Sequence, residues 1–331
     1  MKVLFIGGTG VISSACSELA VQQGVDLYLL NRGLTTDRPI PAGATVLTGD
    51  IRDFDSVTKA LAGHEFDVVV DFIAFVPEHI EMDIKLFGGR VKQYIFISSA
   101  SAYQTPPQKL PITEETPLEN PYWLYSRNKI ACEDRLMQAY HEDGFPVTVV
   151  RPSHTYDKTK VPLIGRYTAL DRMIKGKPVL VHGDGSSLWT LTHHRDFAKG
   201  FNGLLGNKQA IGEAVHITSD EWLTWNQIYE TLARAAGVSP KFVYLPSRLI
   251  HAYDHEVGEG LLGDKMHNMI LDNSKLKRLV PGFEATIPFA EGAKEIVAWY
   301  GRDISRQVVE QSWNSLFEQL IRKFQLIVPF E

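Results

Sequence analysis

The sequence predicts an α/β fold, a doubly wound parallel sheet joined to a smaller, mostly helical second domain. Three observations predict it. Short apolar, β-branched runs alternate with amphipathic stretches through the first 150 residues; a glycine-rich turn follows the first run directly; and beyond Arg151-Pro152 helical periods take over. Continuously apolar strands separated by helices indicate parallel strands covered on both faces.

The elements follow in order. Strands are expected at Lys2 to Ile6, Asp26 to Leu30, Thr45 to Thr48, Val68 to Phe72, Tyr94 to Ser98 and Pro146 to Val150. Between them, helical spacing of apolar residues marks Ser13 to Gln23, Asp55 to Ala62, Ile80 to Phe87 and Tyr122 to Glu142. After Pro152, strand signals thin to Val179 to His182, Ala214 to Thr218 and Phe242 to Leu245. Helices are expected at Arg166 to Ile174, Trp225 to Ala236, Glu291 to Tyr300 and Ser305 to Phe324. The expected division is residues 1–152, with returning segments at about 179–220, as the sheet domain, and 153–178 with 221–331 as the second domain.

Composition bounds the class. The 331 residues are 44% hydrophobic and 22% charged, which excludes a disordered chain, a collagen-like fibre and a disulfide-scaffolded miniprotein. Lys plus Arg number 34 and Asp plus Glu 39, a net charge of −5 without the basic surplus of a dedicated nucleic-acid binder. Cys16 and Cys132 fall in helical patterns and have no metal-like spacing, so two reduced, buried thiols and no metal site are expected. The N-terminus does not read as a signal peptide, and no apolar run approaches the roughly 20 residues of a membrane helix. A soluble, cytoplasmic protein is expected.

The turn after the first strand reads Gly7-Gly8-Thr9-Gly10-Val11-Ile12-Ser13. Between a strand and a helix, glycines permit a tight turn and let the backbone approach a pyrophosphate, which the helix N-terminus then attracts. Ser13 stands where a third glycine would favour close helix–strand packing, and a small residue suffices there. Gly7, Thr9, Gly10, Val11 and Ile12 are therefore candidate dinucleotide contacts in a Rossmann-type sheet. The second strand leads into Asn31-Arg32-Gly33 rather than an acid. An acid there would hold the ribose hydroxyl of NAD, whereas the Arg32 guanidinium suits a 2′-phosphate, so NAD(P) is expected with NADP favoured; alternatively Arg32 stacks on the adenine. Asp50 and Ile51 follow the third strand. Asp50 is read either as an acceptor for the adenine amino group or as a helix N-cap.

Ile95 to Tyr103 reads I-F-I-S-S-A-S-A-Y, and Tyr125 and Lys129 lie four apart in a helical pattern, on one face. A second Tyr-x-x-x-Lys, Tyr156 to Lys160, lies in a loop-like stretch. Only Tyr125 has a serine-rich strand end upstream and a helix around it. A tyrosine base for a secondary alcohol needs its pKa lowered from about 10. A lysine ammonium and a positive nicotinamide would both lower it. Ser99 would hydrogen-bond the reacting oxygen.

These pieces, with G-D-I-R-D at Gly49 to Asp53, Glu133 and R-P-S-H-T-Y at Arg151 to Tyr156, resemble the extended short-chain dehydrogenase/reductase family, the NAD-dependent epimerase/dehydratase group. The resemblance implies Ser99, Tyr125 and Lys129 as catalytic trio, with Tyr125 and Lys129 also touching the cofactor. It implies a cleft for a sugar or sugar nucleotide and a homodimer built partly on the Tyr125 helix. Ser101, His154 and Trp189 are the expected substrate contacts. Three departures narrow the choice. Ala100 and Ser101 replace the acid pair of sugar dehydratases in this family. Trp189 stands where members that bind nucleotide diphosphates often carry Arg. Asp71 stands where the family often has His. Epimerisation is the leading expectation, with a net NADPH-dependent reductase or dehydrogenase as the alternative. A cofactor-sensing or RNA-associated relative without catalysis is the alternative of another class.

Overall fold

The computed structural model describes residues 1–34 and 38–327, so the last four positions of the expected second domain lie outside the described residues. The first half contains β1 (Lys2–Ile6), α1 (Val11–Gln22), β2 (Asp26–Asn31), β3 (Thr45–Thr48), α2 (Phe54–Leu61), β4 (Val68–Asp71), α3 (Pro77–Phe87), β5 (Gln93–Ile97), α4 (Leu124–Asp143) and β6 (Val147–Pro152). The second contains β7 (His154–Tyr156), α5 (Arg166–Ile174), β8 (Pro178–His182), β9 (Leu188–Trp189), β10 (Leu191–His193), α6 (His194–Leu204), β11 (Ala214–Ile217), β12 (Leu223–Thr224), α7 (Trp225–Ala235) and β13 (Lys241–Leu245). Helices α8 (Ser247–Tyr253), α9 (His255–Gly260), α10 (Ser274–Leu279), α11 (Phe289–Gly301) and α12 (Gln311–Ile327) complete it, with a π-helical turn at Leu261–Lys265.

The expected doubly wound sheet is present. Its seven strands run β11-β6-β5-β4-β1-β2-β3, every neighbouring pair parallel. Side chains alternate between two cores, as the two-residue period of a strand requires. Val3, Phe5, Val68, Val70, Ile95 and Ile97 pack on one face, where α6 lies against α1. Leu4, Ile6, Val69, Tyr94, Phe96 and Val149 pack on the other, where α3 meets α4. Strand order reverses at β1, between β2 and β4, and this opens a crevice at the carboxyl ends of the strands.

A third core belongs to the second region. There β8 pairs with β13 away from the main sheet, and α5, α7, α11 and α12 surround the pair. The segment 179–220 thus divides: β8 joins this second core, whereas α6 and β11 return to the main sheet. The expected helix Ser305 to Phe324 is interrupted. Asp303 caps a short turn at Ile304–Arg306, accepting from the Ser305 amide, and α12 begins only at Gln311. Cys16 and Cys132 are buried free thiols. Among the described residues, no helix is long and apolar enough to cross a membrane, and no group of three or more potential ligands is placed to hold a metal ion.

Candidate active site

The carboxyl end of β1 leads into the glycine turn. Gly7 has φ +80°, and a β-carbon there would meet Ile73 Cγ2 at 2.7 Å. A β-carbon on Gly8 would meet Leu29 at 2.5 Å. The helix packs tightly through serines. Ser13 Oγ donates to the Gly7 carbonyl (2.6 Å) and accepts from the Gly10 amide (2.7 Å), while Ser17 Oγ donates to the Gly8 carbonyl (2.8 Å). Ser13 therefore replaces glycine with a hydroxyl that ties the turn to its own helix.

A cavity of about 280 Å³ opens beside this turn. Gly7, Thr9 and Gly10 form one side and Asn31, Arg32, Asp50 and Ile51 the other. Val11 begins α1, half-buried, without lining it, and Arg32 is exposed at the mouth. The N-cap reading of Asp50 is corrected: Asp53 caps α2, accepting from the Asp55 and Ser56 amides, because it is the residue next to the first helical turn. Asp50 Oδ1 instead accepts from the Arg52 amide at 2.9 Å.

Asp71 now has a physical account. Fully buried at the end of β4, it accepts from the Ile73 amide (2.5 Å) and from Arg52 (3.1 Å), which also donates to the Ile73 carbonyl. The pair holds in place the residue that fills the space beside Gly7.

Past the carboxyl ends of β4 and β5 lies a second cavity of about 340 Å³. It collects Ile12, Ser99, Ser101, Tyr125, Lys129, His154 and Trp189, gathering the expected catalytic and substrate residues at one place. Tyr125 and Lys129 lie on one face of α4, with Lys129 Nζ 5.8 Å from the Tyr125 ring centre. Lys129 is buried and donates to the Ala74 (2.6 Å) and Ile97 (2.7 Å) carbonyls. Burial brings its ammonium down to about 8.

In the chain by itself the Tyr125 phenol lies above its ordinary value. Burial pushes it up to about 12; the Ser99 hydroxyl pulls it down and the Asp264 carboxylate pushes it further up. The expected lowering by lysine does not dominate, because desolvation of the phenolate outweighs an ammonium already engaged with two carbonyls.

The serine cluster is chained. Ser126 Oγ donates to Ser101 Oγ (2.8 Å), and Ser101 and Ser99 hydroxyls are 2.9 Å apart. Beneath it, Ser98 donates to Glu133, which forms a buried ion pair with Arg151 (2.5 Å). The second Tyr-x-x-x-Lys is not a pair of this kind: Tyr156 is buried against Phe289 and His193.

Sequence reasoning missed Asp264 and Lys265, which line the same cavity from the π-helical turn. Asn120 fixes that turn, donating to the Gly263 carbonyl (2.6 Å) and to the Ser101 carbonyl (2.9 Å). Burial raises the Asp264 carboxyl to about 6, against the nearby Lys265 ammonium. No local motif announces Gly263-Asp264-Lys265; the chain topology alone delivers it.

The sequence profile of the NAD dependent epimerase/dehydratase family matches residues 3–88 and 84–218. The chain belongs to that family. Among curated epimerase/dehydratase relatives and similar proteins, the chloroplast stem-loop binding protein of 41 kDa b from Arabidopsis thaliana is 28% identical over 73% of this chain. A UDP-glucose 4-epimerase from Lactobacillus helveticus is 35% identical over 46%. The chain spans 65% and 51% of those two proteins' lengths, respectively. A 2′-dehydrokanamycin reductase from Streptomyces kanamyceticus is 24% identical, the match covering 86% of this chain and 80% of that one. Among solved structures, a UDP-glucose 4-epimerase from Bifidobacterium longum, in complex with NAD+ and UDP, superposes with a TM-score of 0.73 at 20% identity, over 92% of this chain and all of that one. An epimerase from Methanothermobacter thermautotrophicus gives 0.75 at 18% identity, over 92% and 94%. At such identities these two structures establish that the epimerase/dehydratase fold is shared.

Proposed function

We propose that this chain is an NAD(P)-dependent epimerase or oxidoreductase acting at a carbinol carbon of a sugar or sugar derivative, with Tyr125 as base. One observation carries the reading. Ser99, Tyr125 and Lys129 converge in a single cavity at the carboxyl end of the sheet, beside a glycine turn whose close approaches leave no room for side chains.

The residues fit a dinucleotide. Gly7 and Gly8 keep the turn bare where a β-carbon would strike Ile73 and Leu29, so its backbone stays open along the cavity, and the adenosine-side cavity presents Arg32 and Asp50. When bound, the cofactor would supply a hydride acceptor and donor. The chain's own residues do the rest. Tyr125 takes the hydroxyl proton, Ser99 hydrogen-bonds the same oxygen, and Lys129 adds positive charge beneath the ring. Arg32 favours NADP over NAD. An epimerase returns the hydride to the other face of the same carbon, whereas a net reductase exchanges cofactor each cycle. A homodimer using the exposed side of α4 belongs to the same proposal and is read by sedimentation.

Mass and fluorescence spectra of the purified protein separate the two activities. Cofactor retained through purification supports the epimerase; reversible binding of NADPH supports the reductase; binding of neither NAD(H) nor NADP(H) refutes both. Tyr125→Phe is expected to lower turnover by roughly 10²- to 10⁴-fold with cofactor binding retained. Unchanged turnover in that variant would rule out Tyr125 as the base.

A second reading draws on the similarity to the stem-loop binding protein, which covers 73% of this chain. An RNA-binding role predicts affinity for an RNA hairpin that falls steeply with salt. The acidic balance of the chain weighs against it.

A further inference from the structure

An outer cavity of about 630 Å³ adjoins the catalytic cavity at Trp123, and the residues lining both are Trp123, His154, Lys160 and Lys265. These four form a neck through which a substrate reaching outward from Tyr125 must pass. Two polar atoms on the wall of the inner cavity, one of them in the neck, lack a partner. The indole Nε1 of Trp189, a residue only 3% exposed, is buried without a hydrogen-bond partner, and so is Nε2 of His154. Buried polar atoms are ordinarily satisfied, so two orphans on one cavity wall call for a partner in the cavity.

Charge says which partner. Lys265 Nζ stands 5.3 Å from the Trp123 ring centre and 5.9 Å from that of Trp189, held between indoles. Its own contacts with Asp264 Oδ2 and the Gly260 carbonyl are long, both 3.4 Å. Lys160 feels Lys265, Arg166 and Arg38 as neighbouring positive charges, opposed by Asp157, so cations converge here. Burial, with both lysines nearby, keeps His154 a neutral imidazole. Beside the two ammonium groups of the neck, the inner cavity offers one carboxylate among the described residues, Asp264. Beyond the neck the balance reverses: among the described residues lining the outer cavity, Asp254, Glu256 and Glu310 face a single further cation, Arg166.

We propose that this neck seats one oxyanion group of the substrate, a phosphate ester or a carboxylate, between Lys160 and Lys265, with the Trp189 indole N–H as a further donor. The outer cavity does not seat a second. A negative group there would meet Arg166 but also Glu256, Glu310 and the α9-capping Asp254, whereas a neutral, partly apolar group would meet Trp225, Trp313 and Leu316. The substrate is thus a polyol bearing a single negative group rather than a diphosphate. This rests on the reading of the inner cavity as the reacting end.

The test is calorimetric titration of cofactor-loaded protein with glucose, glucose 1-phosphate, glucuronate and UDP-glucose, repeated on Lys160→Met and Lys265→Met. At least one of glucose 1-phosphate and glucuronate, each with a single anionic group, is expected to bind about tenfold or more tightly than glucose, since a charge-assisted hydrogen bond contributes about that much. Which of the two wins identifies the group as phosphate or carboxylate. Each lysine substitution is expected to weaken that probe by about tenfold or more and leave cofactor affinity unchanged. UDP-glucose binding more than about tenfold tighter than both would show a two-phosphate seat and overturn the proposal. So would both binding no tighter than glucose, or affinities indifferent to both substitutions. A protein that takes up no cofactor at all would instead be a failure of the hydride-transfer reading.

Discussion

Asp264 holds a buried carboxyl in the same cavity as Tyr125, and its titration touches both stability and chemistry. Burial raises it to about 6, so between the ordinary carboxylate range and that value the folded chain keeps a proton that the unfolded chain releases. Stability therefore falls as pH rises through this window, and above it the folded state carries a penalty on the order of 3 kcal/mol. Asp264→Asn removes the penalty. Urea titrations are expected to find the variant more stable than the parent at about pH 8 and nearly equal at about pH 4. A gap that does not change with pH would show that the carboxyl does not titrate there. The same substitution removes a charge that pushes the Tyr125 phenol up, so the lower inflection of the pH–rate profile should move to lower pH. None of this was legible in sequence. Tyr125, Lys129 and Ser99 could be picked out because their partners sit on one helix face or one strand end. Asp264 lies 139 positions beyond Tyr125 and arrives through the π-helical turn that Asn120 pins.

At the scale of elements, the central strands β4, β5 and β6 were readable because each is buried on both faces and so mostly apolar. The first turn was equally readable, since Gly7 lies at φ +80° with Ile73 against it. Gly7→Ala should cost about 1–2 kcal/mol in backbone strain alone, with the 2.7 Å contact adding to it. The expected outcome is a lower melting temperature together with cofactor affinity weakened by about tenfold or more, read from nucleotide fluorescence. Normal affinity in the variant would mean that the turn does not need this conformation to hold the dinucleotide. What the local pattern did not carry was partnership. The apolar run of β8 looks like any other strand of the sheet, yet it pairs with β13, some 60 residues on. Likewise Trp225 and Tyr229 are buried in the third core, whereas their neighbour Trp222 is half exposed.

For the molecule as a whole, the three cores matter more than the two domains. Two lie on either face of the main sheet, and the third, around β8 and β13, is closed by α12. Phe317 on α12 is fully buried; its ring fills the space beside Gly165, and the Arg172 guanidinium stacks 5.2 Å from its centre. Arg172 in turn donates to Asn314 and Glu318 of the same helix. A deletion here opens a cavity and unseats an arginine, so Phe317→Ala should cost roughly 3–5 kcal/mol, a large share of the stability of an ordinary domain. The glycine turn stands on the other two cores, and Ala100, Trp189, Met269 and Leu271 of the third core also line the catalytic cavity. Heating the variant with cofactor present should therefore give two transitions: an early one for the third core, seen in tryptophan fluorescence, and a later one at which nucleotide is released. If nucleotide leaves at the first transition, the third core is part of one cooperative unit with the sheet, and the substrate pocket cannot loosen without loss of the cofactor.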